Sequence, residues 1–151
     1  MDVRRPAGAP AARRVAPVRE PLTGIADADA ILQRPFPLPS VPIPLCRWVD
    51  VIQVAQHGVE VAWNLDDTRP GTPGRLALYA GTDAPPDRDL DDAAPSEERG
   101  GVAIRSAPLP EAEPSLRPVT ELTWQHEGLH LRLTAQGPWD LDALLALARS
   151  I

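Results

Sequence analysis

The chain has 151 residues, which suits one domain, and its single cysteine, Cys46, excludes an internal disulfide and a cysteine-based zinc site. Nineteen prolines beside one phenylalanine and one tyrosine predict a folded core smaller than the length suggests. No window approaches the apolar run of a membrane span, and the first residues lack the apolar core of a signal peptide, so we expect a cytoplasmic protein.

Residues 1–24 are predicted to form a disordered basic arm. The first twenty residues carry five arginines against two acidic residues, a balance of +3 in a chain whose net charge is −6. Prolines among alanines leave too little apolar surface for this arm to fold. Five arginines without interleaved aromatic residues are too few for a specific nucleic-acid site. We therefore interpret the arm as a solvated tail and expect no specific nucleic-acid partner.

Residues 25–151 are predicted to form a single α+β domain that opens with a short helix and a proline-rich strap. Residues 27–34 suit one or two helical turns, which Pro35 ends. Prolines at positions 37, 39, 42 and 44 keep the next stretch extended, because each disfavours helix in the residue before it. The apolar residues between these prolines favour a strap over the sheet. A polyproline ligand for an aromatic groove is the functional alternative.

A first hairpin is predicted between Arg47 and Leu65, with its turn at His57-Gly58. Pairing outward from that turn gives one buried face, as a half-buried sheet requires. The predicted residues of that face are Trp48, Ile52, Val54, Val59, Val61, Trp63 and Leu65.

Two further strands are predicted at residues 75–80 and 101–106, on either side of an acidic loop. Residues 82–99 carry a net charge of −5 and three prolines, so we interpret them as a flexible, solvated loop. The spacing Asp87-x-Asp89-x-Asp91 is similar to a calcium loop, but the turn glycine and the distal glutamate are not in place.

The segment His126-Glu127-Gly128-Leu129-His130 matches the H-E-x-x-H pattern of zinc proteases. That chemistry needs a helix with both histidines on one face. Leucines instead alternate with polar residues after Gly128, as do Leu122 and Trp124 before it, which indicates strands. A two-residue turn at Glu127-Gly128 pairs His126 with Leu129 and Gln125 with His130. The histidines then lie on opposite faces, so we predict no metal site.

A closing helix over residues 141–151 is predicted, with Asp140 as its N-cap and Trp139 packing on Leu144 as a hydrophobic staple. Its apolar stripe is expected to cover the sheet. The stripe comprises Leu141, Leu144, Leu145, Ala148 and Ile151. The predicted architecture is therefore about six antiparallel strands with a C-terminal helix packed on one face.

This order of elements resembles a bacterial domain of unknown function, found mainly in Gram-positive bacteria as the C-terminal, outer domain of membrane-tethered anti-sigma-factor-like proteins. The resemblance rests on residues 30–39, the valine-rich hairpin, residues 76–80, the segment 122–128 with its Trp-x-x-x-Gly spacing (Trp124 and Gly128), and residues 141–151. It covers residues 27–151 and implies an α+β fold with a role in protein interaction. The chain departs from that pattern because it shows no transmembrane helix and no sigma-binding zinc module.

Three functional hypotheses follow. The first is a non-catalytic sensory or protein-interaction module without a cofactor, whose partner is another protein. The second is a carrier of a small apolar ligand held between sheet and helix, lined by Trp48, Trp63, Trp124 and Trp139. The third is a small zinc hydrolase with His126 and His130 as ligands and Glu127 as the base. We favour the first.

Overall fold

The computed structural model of the protein describes residues 20–43, 46–65, 74–85, 96–107 and 119–151. In this part of the chain, eight strands form one antiparallel sheet and two helices accompany it. The helices are α1 (Ile25–Leu32) and α2 (Leu141–Arg149). The strands are β1 (Glu20–Pro21), β2 (Cys46–Ala55), β3 (Gly58–Leu65), β4 (Leu76–Gly81), β5 (Ser96–Arg99), β6 (Val102–Ala107), β7 (Val119–His126) and β8 (Leu129–Gln136). Neither helix is long and apolar enough to cross a bilayer.

The strands lie side by side in the order β1-β2-β3-β4-β8-β7-β6-β5. All neighbours are antiparallel, and all except β4 and β8 follow each other along the chain. The antiparallel sheet and the C-terminal helix were predicted, whereas two strands were not. Ser96–Arg99 was predicted to be part of a flexible loop, but it pairs with β6 as an edge strand. The sheet begins at Glu20, inside the range assigned to the arm; residues 1–19 lie outside the described part.

The two faces of the sheet differ in chemistry. The helix-covered face carries Val61 on β3, Leu78 on β4, Leu133 on β8, Leu122 on β7 and Ile104 on β6, which the strand register places in one row. These side chains form one core cluster with residues of both helices. The burial of this apolar row against the helices stabilises the fold.

The C-terminal helix forms as predicted, and its apolar residues join the core. The carboxylate of Asp140 accepts a hydrogen bond from the backbone N–H of Ala143 at 3.2 Å, which caps the first turn. Buried α2 residues are Leu144, Leu145, Leu147 and Ala148, while Leu141 and Ile151 pack at the margin of the core. The helix therefore covers the sheet.

Helix α1 ends with a left-handed residue, Gln33, at a φ of 58°. A carboxylate oxygen of Asp29 then accepts from the backbone N–H of Phe36 at 2.7 Å, and Phe36 is buried in the core. Further along, Ser40 bonds to Ser150 beyond α2 through its backbone N–H and its hydroxyl. The residues after α1 thus run over the helix-covered face, as the strap was predicted to do, but Leu38 and Val41 stay exposed.

The first hairpin forms, but its predicted facing is wrong. The two-residue turn is Gln56-His57 and not His57-Gly58, because Ala55 pairs with Gly58. A bulge at Val54 adds one more residue on β2 between this pair and the next, Gln53 with Val59. Together these changes shift the observed register from the predicted one by an odd number of residues, so each β2 side chain lies on the face opposite to the predicted face. Val49 and Val51 therefore share the helix-covered face with Trp63, and Trp48 and Ile52 lie on the other.

The opposite face, here called the polar face, carries Glu60, Tyr79, Arg132, Thr134 and Glu121, all buried. The guanidinium of Arg132 lies 5.7 Å from the centre of the Tyr79 ring, a cation–π distance. The Tyr79 hydroxyl donates to the backbone oxygen of Asp83 at 2.6 Å. Burial, with a smaller effect of the Asp83 charge, raises the pKa of Tyr79 well above its ordinary value.

One hydroxyl on the polar face has no hydrogen-bond partner among the residues that the structure describes. Thr134 is 7% exposed, and its Oγ1 is buried and unpaired. A buried hydroxyl without a partner costs free energy that an apolar group of the same shape does not. We expect Thr134→Val to raise the free energy of unfolding by about 1 kcal/mol.

Urea denaturation followed by tryptophan fluorescence measures this change. Thr123→Val on the same face is the control, because Thr123 is partly exposed and its substitution should leave the midpoint nearly unchanged. A lower midpoint for Thr134→Val would show that the hydroxyl makes a stabilising contact.

Candidate functional site

An open cleft of about 690 Å³ lies on the helix-covered face, between the edge of the sheet and the start of α1. Trp63, Val61 and Val51 form its buried base. Ile25, Leu38 and Val49 form its rim, and their side chains are 37%, 47% and 48% exposed. Three of the five exposed large apolar side chains of the described residues therefore surround one cleft.

The cleft exists because α1 starts one short turn after β1. Leu22 donates its backbone N–H to the oxygen of Val51 at 2.8 Å, which fixes the chain against β2. The Asp27 carboxylate then accepts from the backbone N–H of Thr23 at 2.9 Å and holds the turn that leads into the helix. Hydrogen bonds from Thr23 lower the pKa of Asp27. The helix thus begins beside the sheet edge and leaves the cleft open between them.

The cleft lining carries little charge. Of its residues only Asp50 is ionisable. Its side chain lies on the polar face, where it accepts a hydrogen bond from the Asn64 amide at 3.0 Å. Thr23 and the indole N–H of Trp63 supply the other polar side-chain groups of the lining, so the site offers mainly apolar surface and main-chain groups.

The edge of the sheet next to the cleft is only partly covered. Strand β1 pairs with Ile52 and Gln53 of β2, and the contact continues as far as Val51. Among the described residues, no strand pairs with the outer edge of β2 between Cys46 and Asp50. Trp48 and Val49, in this uncovered stretch, are 51% and 48% exposed on opposite faces.

The four tryptophans predicted to line one ligand site are dispersed. Only Trp63 lines the cleft. Trp48 lies on the opposite face, Trp124 borders a separate depression of about 240 Å³ with Pro85 and His130, and Trp139 packs beside the core just before α2. Of the four tryptophans predicted to line one ligand site, Trp63 lies in the cleft, and the other three lie elsewhere.

The H-E-x-x-H segment forms the predicted hairpin, with His126 paired to Leu129 and Gln125 to His130. Glu127 and Gly128 form the turn, with φ values of 51° and 82°. Because His126 and His130 face opposite sides of the sheet, they cannot bind one metal ion together. Glu127 contacts Arg34, whose guanidinium donates to its backbone oxygen at 2.7 Å and its carboxylate at 3.2 Å. The described residues contain no group of three or more potential metal ligands.

Sequence reasoning missed the rim of the cleft. Ile25 and Leu38 were assigned to the arm boundary and the strap, and Val49 was placed on no face. The one available signal was an apolar residue at each of these positions where a solvated segment would carry polar ones. The register shift at Val54 hid the fact that Val49 and Trp63 share a face. Comparisons with protein-family models, with curated proteins and with solved structures find no match for this chain.

Proposed function

We propose that this chain is a non-catalytic protein-interaction module that binds a partner protein through the apolar cleft beside Trp63. The observation that carries the proposal is the clustering of exposed Ile25, Leu38 and Val49 around the buried base of the cleft. Exposed apolar side chains grouped in one place are typical of binding surfaces, whereas isolated ones are not. A partner that buries these three side chains removes apolar surface from water on both proteins.

The resemblance to anti-sigma-factor-like proteins adds a class of partner to this proposal. It implies a protein from transcription control or from the envelope-stress response. The apolar lining of the cleft favours contact with an apolar group of the partner, which would lie above Trp63 and Val51.

A small apolar ligand is the second candidate occupant. The cleft volume of about 690 Å³ lies within the range of small-molecule sites, roughly 300–1,000 Å³. Saturable shifts in tryptophan emission on addition of fatty acids or isoprenoids, lost in Trp63→Phe, would favour this carrier function. The wide opening and exposed rim favour a protein partner, because a carrier encloses most of its ligand.

The substitution Leu38→Asp tests the interaction module. It places a carboxylate at the cleft rim, where a bound apolar group would have to desolvate it, so we expect about a tenfold or greater loss of partner binding. Val41→Asp is the matched control, because Val41 has similar exposure on the same strap but does not line the cleft.

Both variants and the unchanged chain, tagged at full length, are used to purify partners from the native host, with quantitative mass spectrometry as the readout. The proposal expects a stoichiometric protein with the unchanged chain and with Val41→Asp, and its loss with Leu38→Asp. Equal recovery with Leu38→Asp, or recovery of the chain alone, would contradict the proposal.

A further inference from the structure

We infer that the partner enters the cleft as an extended segment that adds a strand to the open edge of β2, with the main chain of Val49 as its anchor. This inference rests on the proposed function and states how that same site is occupied. It depends on three features of the β2 edge: the direction of its backbone groups, the side chains on either face, and the shape of the cleft.

The backbone groups of Val49 point to the outside of the sheet. Leu22 donates its N–H to the oxygen of Val51 at 2.8 Å, so the main-chain groups of Val51 face the β1 side. Backbone direction alternates along a strand, so the N–H and the oxygen of Val49, two residues away, face the same side. No described strand pairs with them there. The site where β1 ends is therefore ready to accept a further extended chain.

The side chains around the β2 edge indicate which residues of a partner segment would fit there. A partner residue directly opposite Val49 shares its face, so its side chain enters the cleft above Trp63. Its two neighbours lie on the polar face, opposite Asp50 and the half-exposed Trp48. A cation complements Asp50, and an aromatic or apolar residue complements Trp48. With antiparallel pairing, as in every described strand pair, the favoured order is a cation, a bulky apolar residue and an aromatic or apolar residue.

A second copy of this chain fits the same edge less well. Leu22 occupies the position opposite Val51 in each copy, so two β2 edges could pair only between Cys46 and Asp50. The register irregularity between Cys46 and Trp48 leaves Val49 as the regularly paired residue of this stretch whose backbone faces outward, so such pairing puts Val49 of the other copy opposite Val49. Valine is too small to fill a cleft of about 690 Å³. A segment of another protein, free to place a large apolar residue there, is the better occupant.

The substitution Val49→Pro separates strand addition from apolar contact alone. Proline removes the outward N–H that a bound strand would use. It leaves the β2·β3 hydrogen bonds intact, because Asp50 and Ile52, not Val49, direct their backbone groups toward β3. Val49→Thr is the matched control, since it keeps the N–H and the branched shape. An unchanged urea midpoint for both variants checks that the fold is retained.

The probe is a phage-displayed library of random heptapeptides, selected on the immobilised full-length chain. The selected peptides are then synthesised with a fluorescent label and measured by anisotropy against the unchanged chain and both variants. We expect selected sequences with a cation followed by a bulky apolar residue, binding that weakens about tenfold or more in Val49→Pro, and little change in Val49→Thr. Hydrogen exchange at the Val49 amide should slow in the complex.

Three outcomes would overturn the inference. One is equal peptide binding by Val49→Pro, and another is selection that yields no peptide. The third is a dimer of the unchanged chain in light scattering that Val49→Pro dissociates, which would assign the edge to a second copy. If Leu38→Asp abolishes partner capture while Val49→Pro leaves it intact, the interaction module stands and strand addition fails. If neither variant affects capture, both proposals fail.

Discussion

Replacing Gly81 by alanine is expected to lower the free energy of unfolding by about 3 kcal/mol. Gly81 and Gly58 lie opposite each other on β4 and β3. A methyl group on Gly81 would meet the backbone oxygen of His57 and, at 2.7 Å, the Cα of Gly58. These are main-chain atoms of the neighbouring turn and strand, so no side-chain rotation can relieve the contact, and the β3·β4 pairing must separate.

The opposing glycine gives a contrasting expectation. The three atoms nearest to a methyl group on Gly58 all belong to the Tyr79 side chain, with Cε1 at 2.5 Å and Cζ at 2.6 Å. Gly58→Ala alone should therefore destabilise the protein. In a Tyr79→Leu background, the same substitution should lower the free energy of unfolding by less than about 1 kcal/mol. The cost of Gly81→Ala should persist in that background.

Urea denaturation of the single and double variants measures both effects. Gly24→Ala is the neutral control, because nothing lies within 4 Å of an added methyl group there and the φ of 177° is open to any residue. A fully stable Gly81→Ala protein would mean that β3 and β4 do not approach as closely as this structure shows.

The second large effect is expected at the ion pair between Arg75 and the buried carboxylate of Glu60. The guanidinium lies 3.1 Å from the Glu60 carboxylate, which is 2% exposed. Arg75→Met removes this cation while leaving the carboxylate buried on the polar face. The carboxylate keeps its other contacts and the Arg75 side chain is 27% exposed, so we expect a loss of about 2 kcal/mol in the free energy of unfolding.

A second substitution distinguishes loss of the charge balance from loss of packing. Glu60→Gln combined with Arg75→Met should recover part of the stability, because the charges of both members of this pair are then removed. Arg99→Met is the matched control, since Arg99 and Glu97 form an exposed pair at 2.6 Å and its loss should not be measurable. Failure of Glu60→Gln to recover stability would assign the effect to the aliphatic part of Arg75.

The final hairpin and α2 could be predicted because their signals are local. Gly128 supplies the positive φ that a two-residue turn needs, leucines alternate with polar residues on one strand, and Asp140 is a residue type that caps helices. The register between β7 and β8 around this turn then follows from the local sequence alone.

The first hairpin and β5 could not be predicted in the same way. The bulge at Val54 depends on how β2 fits β3, and no residue type marks it in the sequence. Ser96–Arg99 is exposed throughout, so it lacks the alternation that identifies a strand and is held only by pairing with β6. Both errors concern contacts that arise between strands.

The cleft could not be predicted from the sequence, for a related reason. Its rim brings Ile25 and Leu38 beside Val49, and its base adds Trp63 from the next strand. The predicted register had placed Trp48, and not Val49, on the same face as Trp63, and the odd shift on β2 reverses this. A prediction of the cleft would have required the correct facing of β2 first.

The strand order also determines how the chain reaches this structure. Strands β1 to β4 and strands β5 to β8 are two runs of hairpins, each closed by contacts between near neighbours in sequence, and only the β4·β8 pairing joins them. Hairpins form quickly, whereas pairing Leu78 with Leu133 must close a loop that spans more than a third of the chain. We therefore expect the joining of the two halves to be the slow step of folding, during which the open edges of β4 and β8 could pair with those of another incompletely folded chain.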